Sequence, residues 1–450
     1  MKKLFVAAAT LVSCLFVVSG AGARTVAFGP PVKVTPDLGF GYEPAVYIDG
    51  FGNIFATAHK ENWQLAAAPD LNSPTFTRSM SWAWVSSDGG KTFGDIPGLT
   101  ALSFEQHEFG DEGDMALDDA GHLYFVDTNV DDITFTRWTV TGLGQMALDL
   151  HRPFLPAAEP VDDRPWVAAH GNGHVFYFGN EGDKVTYPLG QGTGSGFGPG
   201  RYTVYRSYDG GQTFDTLGYT LKDSGWCRPA TDHAPGSQYV YVFCTNDGGS
   251  DDVTTDTSAT GTLWSYVSSD DGHTFSRYKA GTYAALDSTT SWPTVVVAPD
   301  GSIWALYVDG KLDANGDPVT NKLMLFHSTD HGKTWSKRDI TPITGRYEYG
   351  WLSLSPDGKN LGIGVYYRKD NNSDWYVYGS IFPTGGKPTL VSLDPTHSVQ
   401  DKSCFDANGD LMSSAFSPDG TLSVIWTINN LSSLRCGTAT ERDIWYARSR

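Results

Sequence analysis

The chain has 450 residues, with 51 acidic against 32 basic side chains and a formal net charge of −19 at neutral pH. A surface this acidic repels nucleic acid and anionic lipid through its mean field, so neither is expected as a partner, although a local basic pocket can still exist. Glycine is abundant, with 51 residues, and aromatic residues make up 13% of the chain. That mixture favours an all-β protein with many tight turns.

The first residues have the layout of an export signal. Lys2 and Lys3 precede an apolar run over residues 4–18, and residues 21–23 form a small-residue cleavage site. The run is short for a bilayer, which argues against a membrane anchor, and no later segment could span one. Lipid attachment at Cys14 is the alternative, but the apolar run continues past it. We therefore predict a secreted or periplasmic protein with a signal peptide over 1–23 and a mature domain over 24–450.

Four short segments match one another and predict four tight turns. Each reads Ser-x-Asp-x-Gly-x-Thr-aromatic, and they lie at 86–93, 207–214, 268–275 and 328–335. Their aspartates are 121, 61 and 60 residues apart, so one copy of a repeat of about sixty residues has lost this turn. Asp and Ser side chains hydrogen-bond backbone amides in such turns, and glycine adopts backbone angles that other residues resist. We therefore assign these segments a structural role.

A second pattern predicts a strand, a turn and another strand, and it occurs seven times. Each copy has alternating apolar residues around an Asp-Gly or Asn-Gly type of turn, which is a strong hairpin signal. A third strand follows each copy, and the repeated turn, where it is present, leads to a fourth. The copies begin at Glu43, Gly113, Arg164, Arg228, Trp292, Trp351 and Leu411.

The two ends of the chain predict how the repeat closes. The last copy has only a third strand, DIWYARSR, and the segment TVAFGPPVKV from Thr25 has no other partner. Pairing of the two segments completes the last sheet and removes its exposed edge. We predict one all-β domain, a seven-bladed β-propeller whose ring is closed by the N-terminal strand. A six-bladed propeller of the sialidase type is the alternative.

The repeated turn and the hairpins together resemble the Asp-box, or bacterial neuraminidase repeat, superfamily of β-propellers over essentially the whole mature chain. That superfamily includes sialidases, other glycosidases, polysaccharide lyases and proteins without catalysis. The resemblance therefore implies the fold, and the function must be argued from the site.

The direction of the strands predicts which face of the propeller carries a site. The repeated turns follow third strands and lie on what we call the bottom face. The top face is where first strands begin and second strands end. Convergent carboxylates there suit acid–base cleavage of glycosidic bonds, and Trp and Tyr suit stacking on sugars. The polar set expected on the top face is Tyr42, Glu43, His59, His107, Asp111, Glu112, Asp114, Asp127, Asp162, Asp163, Arg164, Asn180, Glu181, Arg228, Asn246, Asp247, Trp292, Asp309, Arg346, Tyr347, Glu348, Tyr349 and Arg368.

Candidate site residues are drawn from that set. The catalytic candidates are Glu43, Asp114, Asp163 and Tyr349, and the substrate-binding candidates are Arg164, Arg228, His107 and Trp292.

The resemblance to sialidases is partial. Sialidases bind a carboxylate with three arginines and use a tyrosine nucleophile, and YGWLSLSPDG from Tyr349 is similar to the strand that carries it. Arg164, Arg228 and Arg346 are the arginines that could bind the carboxylate. The sialidase Arg-Ile-Pro motif is missing, and in its place Glu43 would repel a substrate carboxylate.

Three functions therefore stay open. The main prediction is a sialidase-like glycoside hydrolase acting on an anionic or complex glycan. A polysaccharide lyase would need a cation for the uronate and a base for the adjacent proton, such as Arg164 or Arg228 with His107, His59 or a tyrosine. The third is a glycan-binding propeller without catalysis. Two carboxyls about 5–10 Å apart would favour hydrolysis, whereas an arginine beside a neutral histidine or tyrosine would favour elimination. We expect a monomer with a glycan ligand and no required cofactor.

Four cysteines lie outside the predicted signal peptide, and an even number in an exported protein indicates two disulfides. Cys227 opens the first strand of its hairpin and Cys244 closes the second, whereas Cys404 and Cys436 flank the hairpin of the last blade. We predict these two pairings, and free buried thiols are the alternative.

One segment has the beginning of a calcium-binding pattern. Asp313, Asn315 and Asp317 offer oxygen donors at alternate positions, as at the start of a calcium loop. The glutamate that would end such a loop is missing, so a plain polar turn is the alternative.

Overall fold

The structure is a computed structural model. It describes residues 26–35, 41–59, 81–99, 112–129, 132–154, 165–181, 201–246, 260–284, 292–310, 320–400, 411–429 and 442–450. These residues form 28 strands and no α-helix. The strands make seven antiparallel sheets of four strands each, arranged as the blades of a β-propeller. No helix in the described ranges is long and apolar enough to cross a membrane.

Blades 1 to 3 are formed as follows, from the inner to the outer strand of each. Blade 1 contains β2 Tyr42–Ile48, β3 Ile54–His59, β4 Trp82–Ser86 and β5 Gly94–Asp95. Blade 2 contains β6 Glu112–Leu117, β7 His122–Asn129, β8 Asp132–Gly142 and β9 Gln145–Phe154. Blade 3 contains β10 Trp166–His170, β11 His174–Glu181, β12 Arg201–Ser207 and β13 Tyr219–Thr220.

Blades 4 to 7 follow the same plan. Blade 4 contains β14 Cys227–Thr231, β15 Val240–Thr245, β16 Thr260–Ser268 and β17 Ser276–Ala284. Blade 5 contains β18 Thr294–Val297, β19 Ile303–Asp309, β20 Lys322–Ser328 and β21 Ser336–Asp339. Blade 6 contains β22 Arg346–Leu354, β23 Asn360–Arg368, β24 Tyr376–Pro383 and β25 Val391–Ser392. Blade 7 contains β26 Ser413–Phe416, β27 Leu422–Asn429, β28 Arg442–Arg448 and, as its outer strand, β1 Val32–Lys33.

The N-terminal strand closes the ring. Val32 pairs with Tyr446 and Lys33 with Trp445, in the outer strand position of blade 7. The inner strands of successive blades contact one another, and β2 also contacts β26, so the circle is complete. The prediction of seven blades and of closure by this segment is confirmed, and the six-bladed alternative is wrong.

Apolar side chains fill the spaces between neighbouring blades. Tyr124 and Phe135 of blade 2, for example, pack with Val175 and Tyr177 of blade 3, and all four are fully buried. Alternation along each strand places one set of side chains on each face of a sheet, which is why every blade can contact both neighbours.

The repeated turns owe their shape to one aspartate each. In the blade 3 turn, Asp209 accepts hydrogen bonds from Ser207 Oγ at 2.8 Å, the Thr213 amide at 2.9 Å and Thr213 Oγ1 at 2.6 Å. The same bonds recur around Asp88, Asp270 and Asp330. In the blade 5 turn, the bonds from Thr334 lower the pKa of Asp330 to about 2. The repeated segments therefore act as turn-forming elements.

Replacement of Asp209 by Ala is expected to lower the free energy of unfolding by about 1–2 kcal/mol, because the turn loses three hydrogen bonds to one carboxylate. Urea unfolding measures this difference. Asp95→Ala is the control, since Asp95 is exposed on the outer strand of blade 1 and should change stability by less than about 0.5 kcal/mol. Equal effects of the two substitutions would contradict the structural role of Asp209.

One of the two predicted disulfides lies in the described residues. Cys227 and Cys244 are bonded, and they are direct partners in the β14–β15 ladder. This pairing is confirmed. The predicted Cys404–Cys436 pair lies outside the described residues and stays a prediction.

Peptide mapping without reduction is expected to give two linked peptide pairs, Cys227 with Cys244 and Cys404 with Cys436. Loss of the blade 4 disulfide should lower stability by about 2–4 kcal/mol, since it closes a short loop in the unfolded chain. A crossed pairing, or a free thiol at Cys404, would contradict the second assignment.

Candidate functional site

A network of three side chains crosses the axis of the propeller. Arg228 of blade 4 lies with Nη1 3.4 Å from Asp114 Oδ2 of blade 2 and Nη2 3.2 Å from the Tyr47 hydroxyl of blade 1. Tyr47 also donates a hydrogen bond to Asp114, and the Val167 amide donates to the same carboxylate at 2.9 Å. We call Tyr47, Asp114 and Arg228 the axial network.

Two indole rings flank the Arg228 guanidinium of the axial network. The Arg228 guanidinium carbon lies 4.1 Å from the ring centroid of Trp166 and 4.8 Å from that of Trp351. Stacking of arginine between aromatic faces is favourable where both are desolvated. Burial raises the pKa of Asp114 although Arg228 opposes the shift. Asp114 and Arg228, which the sequence assigned to catalysis and substrate binding, thus face each other in this structure.

Tryptophans continue the packing around the axis. The Trp292 ring centroid is 4.2 Å from that of Trp226 and 5.7 Å from that of Trp166, and all three rings are buried. Trp292, a predicted substrate-binding residue, therefore contributes to an aromatic layer at the start of the inner strands of blades 3 to 5.

A second polar group lies at the top ends of blades 6, 7 and 1. Five members begin first or third strands or end second strands, and Glu43, Glu348 and Tyr366 lie within two residues of such an end. All are buried. We call it the top cluster, and it consists of Tyr42, Glu43, His59, Arg346, Glu348, Tyr366, Arg368 and Arg442.

The blade 1 half of the top cluster is built around His59. The His59 ring is 4.5 Å from the Tyr42 ring, and His59 Nε2 lies 3.2 Å from Glu43 Oε2. Across the boundary between blades 7 and 1, the Arg442 guanidinium carbon lies 4.8 Å from the centroid of the Tyr42 ring. Burial, together with the positive charge of Arg442, lowers the pKa of His59 to about 3. The imidazole is therefore neutral at physiological pH.

The blade 6 half supplies further cations. Arg346 and Arg368 are direct partners at the top of β22 and β23. The Arg368 guanidinium carbon lies 4.5 Å from the Trp375 ring. Burial raises the pKa of Tyr366; the charge of Glu348 also raises it, and the charge of Arg442 lowers it. Tyr366 therefore interacts with both halves of the cluster. Its hydroxyl accepts a hydrogen bond from the Thr427 amide at 3.1 Å.

Both halves contain a bulge in the inner strand. The register shifts between Tyr42 and Ala45 in β2 and between Glu348 and Trp351 in β22. Each bulge holds a residue other than glycine at positive φ, with Glu43 at 53° and Tyr349 at 49°. Bulges re-aim side chains and are frequent beside active sites, and such backbone angles carry strain that the surrounding fold must hold. Two catalytic candidates of the sequence, Glu43 and Tyr349, occupy these positions.

The bottom half of the axis holds a cavity of about 850 Å³. It extends from Arg228 and Trp351 down to the hairpin turns at Asp49–Phe51 and Asp118–Gly121, and apolar residues of the inner strands form much of its wall. The cavity lies on the opposite side of the axial network from the top cluster.

Several predicted site residues lie outside the described residues. They are His107, Asp163 and Arg164 of the catalytic and binding candidates, and Asp313, Asn315 and Asp317 of the candidate calcium loop. The predicted set also missed residues that the fold brings in. Arg442 begins a third strand and Tyr47 is the penultimate residue of β2, whereas the positional rule covered only the top ends of first and second strands.

Titration of His59 is expected to make stability depend on pH. Its pKa is about 3 in the folded protein and about 6.5 in an unfolded chain, so between these values only the unfolded state binds the proton. The contribution to stability is full above about pH 6.5 and is lost as the pH falls. The free energy of unfolding should drop by about 2 kcal/mol from pH 7 to pH 5 through this group.

Urea unfolding of wild type and His59→Gln across this pH range isolates that contribution. The difference in unfolding free energy between the two proteins should be constant above pH 7 and should shrink by about 2 kcal/mol at pH 5. A pH-independent difference would show that folding does not lower the pKa of His59.

Comparison with solved structures finds proteins that share the architecture. The polysaccharide lyase Uly1 aligns with a TM-score of 0.50 and 10% identity over 94% of this chain and 99% of that chain. An α-L-arabinofuranosidase from Fusarium graminearum aligns with a TM-score of 0.47 and 13% identity over 94% and 98% of the two chains. The NanB sialidase from Streptococcus pneumoniae aligns with a TM-score of 0.46 and 11% identity over 94% of this chain and 70% of that chain.

These neighbours are carbohydrate-active proteins, and at such identities the likeness shows a common fold alone. No family model matches the sequence. A comparison with curated proteins also finds no match.

Proposed function

We propose that the protein cleaves a uronate-containing polysaccharide by β-elimination at the top cluster. The observation that carries this proposal is the neutral imidazole of His59 next to Arg442, with Tyr42 in contact with both. A neutral base beside a fixed cation is the arrangement that elimination needs, because the proton to be removed is acidic only when the adjacent carboxylate is neutralised.

The charges of the top cluster suit an anionic ligand. It contains three arginines against two glutamates, and burial keeps His59 neutral. Buried charges are costly to maintain, and clusters of them beside a group with a strongly shifted pKa are typical of functional sites. Guanidinium groups also bind carboxylates through two parallel hydrogen bonds.

Each residue has a distinct role in the proposed reaction. Arg442 binds the uronate carboxylate and withdraws charge from the sugar carbon beside it. The bound carboxylate offsets the charge of Arg442 that lowers the pKa of His59, so the imidazole becomes a stronger base. His59 removes the proton from that carbon, the bond to the leaving glycosidic oxygen breaks, and a carbon–carbon double bond forms in the ring. Tyr42 gives a proton to the leaving oxygen. No water is consumed, and Glu43 holds the imidazole in place through its contact at 3.2 Å.

The setting of this activity is outside the cytoplasm. The proposal rests on the predicted export signal over residues 1–23 and on the Cys227–Cys244 disulfide, a bond that persists in oxidising compartments. The ligand is then an extracellular or periplasmic glycan.

Incubation with a panel of uronate-containing polysaccharides and sialosides tests the function. We expect new reducing ends and ultraviolet absorbance from unsaturated products to rise together on at least one uronate polymer. Reducing ends without absorbance would overturn elimination in favour of the sialidase-like hydrolysis predicted from the sequence. Binding without either signal would overturn catalysis in favour of a glycan-binding propeller.

A further inference from the structure

We propose that His170, His174 and Asp271 form a binding site for a divalent transition-metal ion of the zinc class on the bottom face. The site lies between blades 3 and 4, at the opposite end of the inner strands from the top cluster. It is independent of the proposed reaction.

The local fold brings the three side chains together. His170 ends β10, His174 begins β11, and the two are direct partners across the hairpin turn at 171–173, so their side chains share one face of the sheet. Asp271 comes from the repeated turn of the next blade, whose backbone is fixed by a bond from the Asp271 amide to the Gln238 carbonyl at 2.9 Å. The site therefore bridges two blades.

The three side chains bring two nitrogen donors and a carboxylate together. His170 Nε2 lies 2.9 Å from Asp271 Oδ1, and His174 Nδ1 lies 2.6 Å from Oδ2. One ligand atom from each residue can be chosen so that all three lie within 4.8 Å of one another. The His174 Nδ1 atom is buried and faces the carboxylate, as a metal-ligating nitrogen would. Two nitrogens and one oxygen are a common zinc donor set.

The backbone of the turn gives an independent indication. The position of Asp271 is glycine in the turns of blades 1 and 3, where Gly89 has a φ of 78° and Gly210 a φ of 72°. Asp271 keeps this left-handed conformation, with a φ of 60°, although glycine would adopt it without strain. Blade 4 thus has a carboxylate at a position where glycine would satisfy the backbone geometry of the turn.

The environment fits an ion with an open coordination position. His170 and Asp271 are buried, whereas the His174 side chain is 36% exposed and gives access from solvent. The His170 ring stacks on Phe176 with centroids 5.5 Å apart, which fixes its orientation. Three protein ligands would leave a fourth tetrahedral position for water, and the bound ion would link blades 3 and 4.

Zinc titration of the tag-free, chelator-treated protein tests the proposal. We expect one equivalent of Zn²⁺ to bind by calorimetry, Co²⁺ to give visible absorption bands, and Zn²⁺ to raise the melting temperature by mass action. Asp271→Gly is the decisive variant, because glycine occupies this position in the sister turns. It should keep or raise the melting temperature without metal and weaken Zn²⁺ binding about 100-fold.

His331→Gly is the matched control. His331 holds the same position in the blade 5 turn, with a φ of 57°, and it packs on Tyr239 instead of an acid–histidine pair. Its Zn²⁺ affinity should equal that of wild type. His174→Gln provides a second loss-of-ligand variant if Asp271→Gly does not fold. The site would be overturned if wild type did not bind Zn²⁺ stoichiometrically, or if the Asp271 and His174 variants bound it with wild-type affinity.

Discussion

Replacement of His59 by Gln is expected to lower kcat on a uronate polysaccharide by about 10²–10⁴-fold, because the variant has no base for the proton beside the carboxylate. Glutamine fits the space of the imidazole and can still contact Glu43, so substrate binding should persist. KM should therefore change little. The measurement is the rate of ultraviolet absorbance from unsaturated products at pH 8, where folding stability is not limited by His59.

Arg442→Gln distinguishes binding from proton transfer. Loss of the guanidinium should raise KM as well as lower kcat, since the same group binds and neutralises the carboxylate. His233→Gln is the control, because His233 pairs with Asp119 on the bottom face and is half exposed. If His59→Gln and the His233→Gln control both kept the wild-type rate, His59 would not be the catalytic base.

Replacement of Arg228 by Met is expected to destabilise the protein by about 3–5 kcal/mol, because it leaves Asp114 as a buried charge without its cation. The double variant Arg228→Met with Asp114→Asn should recover much of that loss, since the charge is removed with its partner. Urea unfolding of the two single variants and the double variant gives the coupling energy directly.

Arg277→Met is the matched control for the axial network. Arg277 also stacks on an indole, at 4.1 Å from Trp264, and pairs with an aspartate, with Nη1 2.8 Å from Asp223, but both partners are about one third exposed. Solvent screening should limit its contribution to about 1 kcal/mol or less. Equal losses at Arg228 and Arg277, or additive effects in the double variant, would show that Asp114 and Arg228 are not coupled.

The architecture could be predicted from sequence because its signals are local. The Ser-x-Asp-x-Gly-x-Thr turns and the alternating hairpins each depend on a few adjacent residues, and their spacing gave the number of blades. The closure by β1 followed from counting strands. The pairing of Cys227 with Cys244 followed in the same way, since the ends of one hairpin are neighbours whatever the rest of the chain does.

The candidate site was harder to predict from the sequence because its contacts are formed between residues of different blades. Asp114 and Arg228 were both identified near the axis, but their mutual pairing depends on how blades 2 and 4 face each other across it. Arg442 was missed because it begins a third strand, and its contact with Tyr42 requires the ring to be closed. The His170–His174–Asp271 group was missed because Asp271 lies in a segment assigned to turn formation alone.

Closure of the ring has a consequence for the order of folding. Thr35, next to β1, hydrogen-bonds Asp443 of β28 across a sequence separation of 408 residues, and the neighbouring Arg442 contacts Tyr42 of blade 1. Contacts between such distant segments form late, since the entropy of joining them must be overcome first. Blade 7 can be completed only after β28 has been synthesised. We therefore expect His59 and Arg442 to come together late in folding, and a chain without β28 to lack the proposed activity.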